Sequence, residues 1–192
     1  MVILLLAGAV SAQCEKAASG MAIDHSLKLC SQNYVFEEGL KVIADNVVVD
    51  CSGAVIQGMR KNGTFSGAGI TVAGRTNVTL NKCHLVNWNQ GINIADSVVV
   101  SVAKAHLIRN SMGIRLANSA GVRVQDSNDI SIERTVRAVN SSGNWLQFEN
   151  KKLVGEECLM NVCNAENGQP FVNLDLGVFE QVLIAVINGW LL

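Results

Sequence analysis

The sequence predicts an all-β chain wound as a parallel β-helix, a solenoid of about 22 residues per coil, and three observations carry that expectation. Gly69-Ile70-Thr71-Val72 returns as Gly91-Ile92-Asn93-Ile94 and again as Gly113-Ile114-Arg115-Leu116, each 22 residues after the last. Other positions keep the same step: Val78, Val100 and Val122 share one phase, and Leu80, Val102 and Val124 share another. The runs between are short and alternating, as in Val78-Thr79-Leu80 and Val100-Ser101-Val102. Such alternation sends one side chain inward and the next outward, which is the signature of a strand with one buried face. Three short strands per repeat leave no room for crossover helices. The recurring Leu-x-x-Leu-x-Leu and Asn of a leucine-rich repeat are absent. Coils stacked at about 4.8 Å would pile Ile and Val into a continuous core and leave the alternate columns in solvent.

At 192 residues the chain is long enough for one domain with a substantial core. Residues 1–12 read as a secretory signal, with an apolar stretch from Val2 to Ala9 and small residues before Gln13. The stretch is shorter than the roughly 20 apolar residues that a membrane span requires. Residues 13–34 are a mixed lead-in that would cap the open end of the stack, because a terminal coil otherwise exposes its apolar interior and unpaired backbone. The coils occupy residues 35–148. The first begins at Gly39-Leu40-Lys41-Val42 and precedes the Gly69 repeat by 30 residues rather than 22, so the surplus, Met59 to Ala68, is expected to bulge as a loop. After Val124 about three extra residues are expected between Gln125 and Asp129 before Ile130-Ser131-Ile132 resumes the alternation. One more irregular coil would follow through Val136, Val139, Leu146 and Phe148.

Residues 149–192 are a connector and a C-terminal segment. Val178 to Leu192 is apolar with Glu180, Gln181 and Asn188 interspersed, the pattern of a short amphipathic α-helix serving as a cap or a membrane-proximal segment. The stretch from Asn164 to Gly189 faintly resembles a half-dockerin or EF-hand unit. It lacks the alternating carboxylates and the closing Glu that a calcium loop needs.

Six cysteines fit an oxidising compartment, in keeping with export. Their spacing is not that of a zinc site. Cys30 and Cys51 flank the expected first coil and suggest a bridge, Cys158 and Cys163 would close a small loop, and Cys83 reads as a small core residue in phase with Ala105. Asn62, Asn77 and Asn140 head Asn-x-Ser/Thr triplets that permit glycosylation of an exported protein.

The run Ala44-Asp45-Asn46-Val47-Val48-Val49-Asp50-Cys51-Ser52-Gly53, followed by the Gly-Ile-x-Val repeats and Asn77-Val78-Thr79-Leu80-Asn81-Lys82-Cys83, resembles the NosD-like branch of right-handed parallel β-helix proteins. That branch belongs to the pectin-lyase-like superfamily, and the resemblance covers roughly residues 35–134. It implies a right-handed winding and an archaeal or bacterial protein that is secreted, periplasmic or on the cell surface. It does not imply one activity, since the superfamily includes lyases, glycosidases and non-catalytic surface modules.

Stacking makes residues one coil apart into neighbours, so two outward columns become candidate ligand-binding surfaces. Lys41, Thr71, Asn93 and Arg115 form one on the first strand, near which the superfamily's enzymes hold their substrate. Lys82 with Lys104, and His84 with His106, form another on the third strand. The two imidazoles suit a divalent transition metal, but the flanking lysines oppose a cation and favour an anionic glycan. Hydrolysis calls for paired carboxylates, and a lyase for clustered Asp or Glu beside a basic residue; Asp96 and Asp126 sit on different turns and supply neither.

The expectation is therefore an exported, non-catalytic module that contacts a polysaccharide, a surface glycan or another surface protein, without a cofactor. Its alternative is a polysaccharide lyase or glycoside hydrolase. A formal net charge of −1 with only 16% charged residues argues against nucleic acid as a partner. Any membrane contact would be confined to the signal or the C-terminal segment.

Overall fold

The computed structural model describes residues 13–60 and 63–149, together with the strands Val162–Asn164 and Pro170–Val172. The described chain is a stack of parallel coils. The first contains β1 (Ala22–Ile23), β2 (Leu27–Lys28) and β3 (Asn33–Phe36), the second β4 (Leu40–Val42), β5 (Val48–Asp50) and β6 (Val55–Gly58). The third contains β7 (Ala68–Ala73), β8 (Thr76–Asn81) and β9 (His84–Val86), the fourth β10 (Gln90–Ala95), β11 (Val98–Ala103) and β12 (His106–Ile108). The fifth has β13 (Met112–Ala117) and the long β14 (Arg123–Ile130), and the sixth β15 (Arg134–Val139) and β16 (Trp145–Phe148). β17 (Val162–Asn164) adds to β16 in parallel, and β18 (Pro170–Val172) returns antiparallel to β17.

Three faces result. The first is the six-stranded sheet β1-β4-β7-β10-β13-β15. The second stacks β2, β5, β8, β11, the start of β14, and β16, while the third stacks β3, β6, β9, β12 and the end of β14. β14 rounds the corner without interruption and joins the second and third faces in one hydrogen-bonded path.

The core is the file of inward side chains that the repeat demanded. Ile70, Ile92, Ile114 and Val136 pair in register and are fully buried, as are Val72, Ile94 and Leu116 beside them. The glycine before each isoleucine has a steric cause. A Cβ on Gly69 would stand 2.8 Å from the Gly91 carbonyl oxygen, and one on Gly91 2.7 Å from that of Gly113. Backbones stacked this closely leave no volume for a side chain, so the Gly-Ile pair recurs once per coil.

Corners satisfy their backbone with ladders. Between the first and second faces, Ser97, Ser119 and Ser141 are buried one coil apart. The Ser119 hydroxyl donates to the Ala117 carbonyl at 2.8 Å and accepts the Ser97 N–H at 3.3 Å; Ser141 repeats this with Val139 at 3.0 Å and Ser119 at 3.1 Å. Outside them Asp96, Asn118 and Asn140 all adopt left-handed φ near 48–49°, the conformation that Asn and Asp tolerate best among non-glycine residues. Asn118 donates to the Asp96 carboxylate at 2.9 Å, and Asn140 donates to Asn118 at 3.3 Å. At the corner after the third face, buried Trp88 donates Nε1–H to the Ile56 carbonyl at 3.0 Å, and its backbone N–H is accepted by buried Asn110 at 2.9 Å.

The structure revises several expectations. The period of 22 reaches further in both directions than the apolar pattern suggested: Leu27 pairs with Val49, Asn33 with Val55, and Arg123 with Trp145. The lead-in assigned to the cap thus carries a coil of its own. No extra residues separate Gln125 from Asp129, since His106 pairs with Asn128 and Ile108 with Ile130 at the regular spacing; the irregularity is a bulge between Val124 and Ser127 where β16 joins. Ile130 and Ile132 point outward, and buried Asp129 takes the inward position that Leu85 and Leu107 hold in earlier coils. Val139 is likewise exposed.

The cysteines pair differently from the suggested Cys30–Cys51 bridge. Cys30 is bonded to Cys14, and Cys51 to Cys83, with Cα separations of 4.7 and 4.9 Å. The stacking distance itself allows the second bond, because Cys51 and Cys83 occupy corresponding corners of adjacent coils. Cys83 is therefore a bridge as well as a core residue. The suggested Cys158–Cys163 bridge, the signal at 1–12 and the C-terminal helix lie outside the described residues.

Candidate functional site

The first outward column is continuous. Lys41 pairs with Thr71, Thr71 with Asn93, and Asn93 with Arg115, all in parallel register on the first face. Each lies between inward neighbours, as Asn93 does between Ile92 and Ile94, so the alternation of the strand aims it outward. The column continues to Arg137, which pairs with Arg115 and is exposed. Arg137 was missed because the coil after Val124 was expected to be irregular and the column was not carried past Arg115; adding 22 to Arg115 finds it directly. Arg115 donates from its guanidinium to the Asn93 amide oxygen at 3.0 Å, and Lys41 makes an exposed ion pair with Glu38 at 2.9 Å. The result is a straight strip, polar in the middle and cationic towards its ends, with about 4.8 Å between rungs.

The second column divides. His84 and His106 pair in register on the third face, half-buried, with ring centroids 4.4 Å apart and tilted by 55°. Partial burial, followed by the neighbouring His106, lowers the pKa of His84 below the usual histidine value. Lys82 and Lys104 are not on that face. They stand exposed at the corner before it, in left-handed conformation with φ of 53°, and Asp126 follows in the same column at 48°. Their positive charge is therefore held at the solvent edge while the imidazoles lie on the flat of the sheet. Next to His106 comes Asn128, which donates to Glu149 at 2.9 Å. Among the described residues no group of three or more His, Cys, Asp and Glu side chains is arranged to hold a metal ion.

Two further features escaped the sequence reading. A shallow cavity of about 380 Å³ lies beside Glu15, His25, Ser26, Lys28 and Val48 on the first two coils. At its rim His25 Nδ1 meets the Asp24 carboxylate at 2.6 Å, and Nε2 is 3.5 Å from Glu15. The hydrogen bond with Asp24 raises the His25 pKa and lowers that of Asp24. The grouping brings together residues ten positions apart through the Cys14–Cys30 bridge, so no local motif announces it. The insertion after β6 also carries a contact, with the Arg60 guanidinium 4.4 Å from the Phe65 ring centroid.

Among the described residues, Asp96 and Asp126 do not come together as a catalytic pair. Asp96 is engaged with Asn118 at the corner between the first and second faces, and Asp126 lies at the next corner. Comparisons with protein-family models, with curated proteins and with solved structures return no match.

Proposed function

We propose that this chain is an exported surface module whose first face binds an anionic polysaccharide along the column Lys41, Thr71, Asn93, Arg115 and Arg137. The observation that carries the reading is the unbroken register of that column across five coils. A rigid strip with donors at regular intervals suits an extended, repetitive ligand, and guanidinium groups suit carboxylates. Export draws support from the two disulfides, which belong to oxidising compartments. The motif around Asp45 to Gly53 supports a right-handed winding of the NosD-like type. Binding without turnover is the reading that the scattered carboxylates favour.

A glycan array that includes uronate-containing and neutral polysaccharides tests the proposal. It should be run alongside reducing-sugar and unsaturated-uronate assays. Retention of acidic glycans with no product supports a binding module, and loss of retention in Arg115→Ala with Arg137→Ala locates it. Equal retention by that variant overturns the site, and product formation turns the reading to a lyase or hydrolase.

A further inference from the structure

The glycan reading leaves the third face unused, and on that face two imidazoles meet. His84 and His106 hold corresponding places on β9 and β12, so the stacking of adjacent coils brings them together without any local motif. Their ring centroids are 4.4 Å apart, and the ring planes are tilted by 55°. Both residues are half-buried, and among the described residues neither ring has a hydrogen-bond partner. Their nitrogens are uncommitted. Imidazole nitrogen is a good ligand for the late divalent transition metals.

The separation of the rings is that of a chelate. An imidazole nitrogen bonds a metal at about 2.1 Å, which puts the ion about 3.2 Å from the ring centroid. Two rings at right angles around one ion then have centroids about 4.5 Å apart, and at the tetrahedral angle about 5.2 Å. The observed distance matches the right angle, which belongs to square-planar and octahedral ions such as Ni²⁺ rather than to tetrahedral Zn²⁺. Nor are the rings stacked face to face, where the lone pairs would run side by side and never converge. Lys82 and Lys104 precede the two histidines and would oppose a cation. They stand exposed at the corner, with φ of 53°, and not on the flat of the third face. Charges held in water at that edge are screened by salt. The neighbouring rungs are Val55 beside His84 and Asn128 beside His106, both uncharged, and Glu149 lies one step further, accepting from Asn128 at 2.9 Å.

We infer that His84 and His106 together bind one divalent transition-metal ion on the third face, with water at its remaining positions. Among the described residues no third donor is arranged there, so the site is exchangeable and the coils are held without it. This inference is independent of the glycan site, which lies on another face.

Isothermal titration of Ni²⁺ into the untagged full chain tests it, after alkylation of free thiols that would compete for the ion. One ion per chain should bind. His84→Gln and His106→Gln should each weaken binding about tenfold or more, whereas His25→Gln, and Arg115→Ala with Arg137→Ala, should leave it unchanged. The lysines supply a readout that misfolding cannot imitate. Lys82→Ala with Lys104→Ala should tighten Ni²⁺ binding several-fold at low ionic strength, and added salt should tighten it in the wild type. No binding by the wild type, binding unaffected by either histidine variant, or one ion per two chains would overturn the site. So would an equal loss in His25→Gln, which places the ion at the first coil. Affinity that falls as salt rises would overturn it too, since that marks carboxylates as the ligands.

Discussion

The first and third faces of the solenoid share an interior and differ in everything outside it. Inside, Ile70, Ile92 and Ile114 on one face oppose Ile56, Leu85 and Leu107 on the other, all fully buried. Outside, the first carries Lys41, Asn93, Arg115 and Arg137, while the third carries Val35, Val86, Ile108 and Ile130 around a pair of histidines. The interior is constrained by stacking distance and volume, whereas an outward column is free to follow whatever touches it. Two faces with equivalent packing and opposite outer chemistry therefore point to two different contacts. The inward columns carry stability, and it is on an outward column that the proposed glycan contact rests.

The largest effects should be the same on both faces. Ile92→Ala and Leu107→Ala each remove three buried carbon atoms from between stacked coils, and each should cost about 2–5 kcal/mol. Urea denaturation at fixed pH measures this. A loss confined to one of the two variants would show that the interior is not shared.

The disulfide between Cys51 and Cys83 breaks the symmetry. It pins the corner that leads into the third face and joins residues 32 apart in the sequence; the first face has no such clamp among the described residues. Replacing both cysteines by alanine should cost about 3–4 kcal/mol. Hydrogen exchange should show the β5 and β9 amides losing protection before those of β10 and β13.

Arg115→Ala belongs to the outer chemistry. Among the described residues Arg115 bonds to a side chain one coil away, at 3.0 Å from Asn93, so its removal should change stability by no more than about 1 kcal/mol. Retention of acidic glycan should nevertheless fall markedly, more steeply at low ionic strength. Isothermal titration with a uronate oligosaccharide at two salt concentrations separates these effects. A stability loss as large as that of Ile92→Ala would mean that the residue is structural.

The solenoid was legible because its interior repeats. The Gly-Ile pair and the phased valines are dictated by contact between coils, and that contact recurs every 22 residues. The coil of β1 to β3 was hidden because its strands are short and its glycine landmark is missing, although Leu27 and Val49 keep the step. The register of the fifth coil was misjudged because Ile130 and Ile132 were expected to resume an inward pattern, whereas Asp129 turns inward there. The cationic column followed directly from phase, except that treating the last coil as irregular lost Arg137. The Cys51–Cys83 pairing was obscured by the insertion after β6, which lengthens that one step so that the two residues stand 32 rather than 22 apart. The His25 grouping depends on a disulfide that folds the lead-in back on the coil, which periodicity does not encode.

The smallest expected effect is a matter of pH, and its sign separates the third face from the first coil. His84 has a folded pKa below the usual histidine value, chiefly through burial and then through His106. Its ordinary value in the unfolded chain is about 6.5. Above that value the ring is neutral in both states and costs nothing. As the pH falls through about 6.5 the unfolded chain takes up the proton first, so stability declines until the lower folded pKa is reached. His25 behaves oppositely. Its folded pKa is raised by Asp24, so its contribution is full below about 6.5 and fades as the pH climbs through the folded value. Its exposure keeps that contribution small. Urea midpoints at pH 5.5 and 7.5 for His84→Gln and His25→Gln distinguish the two. His84→Gln should flatten the loss of stability on acidification, and His25→Gln should deepen it. An unchanged slope in His84→Gln would mean that the third face tolerates a charged imidazole.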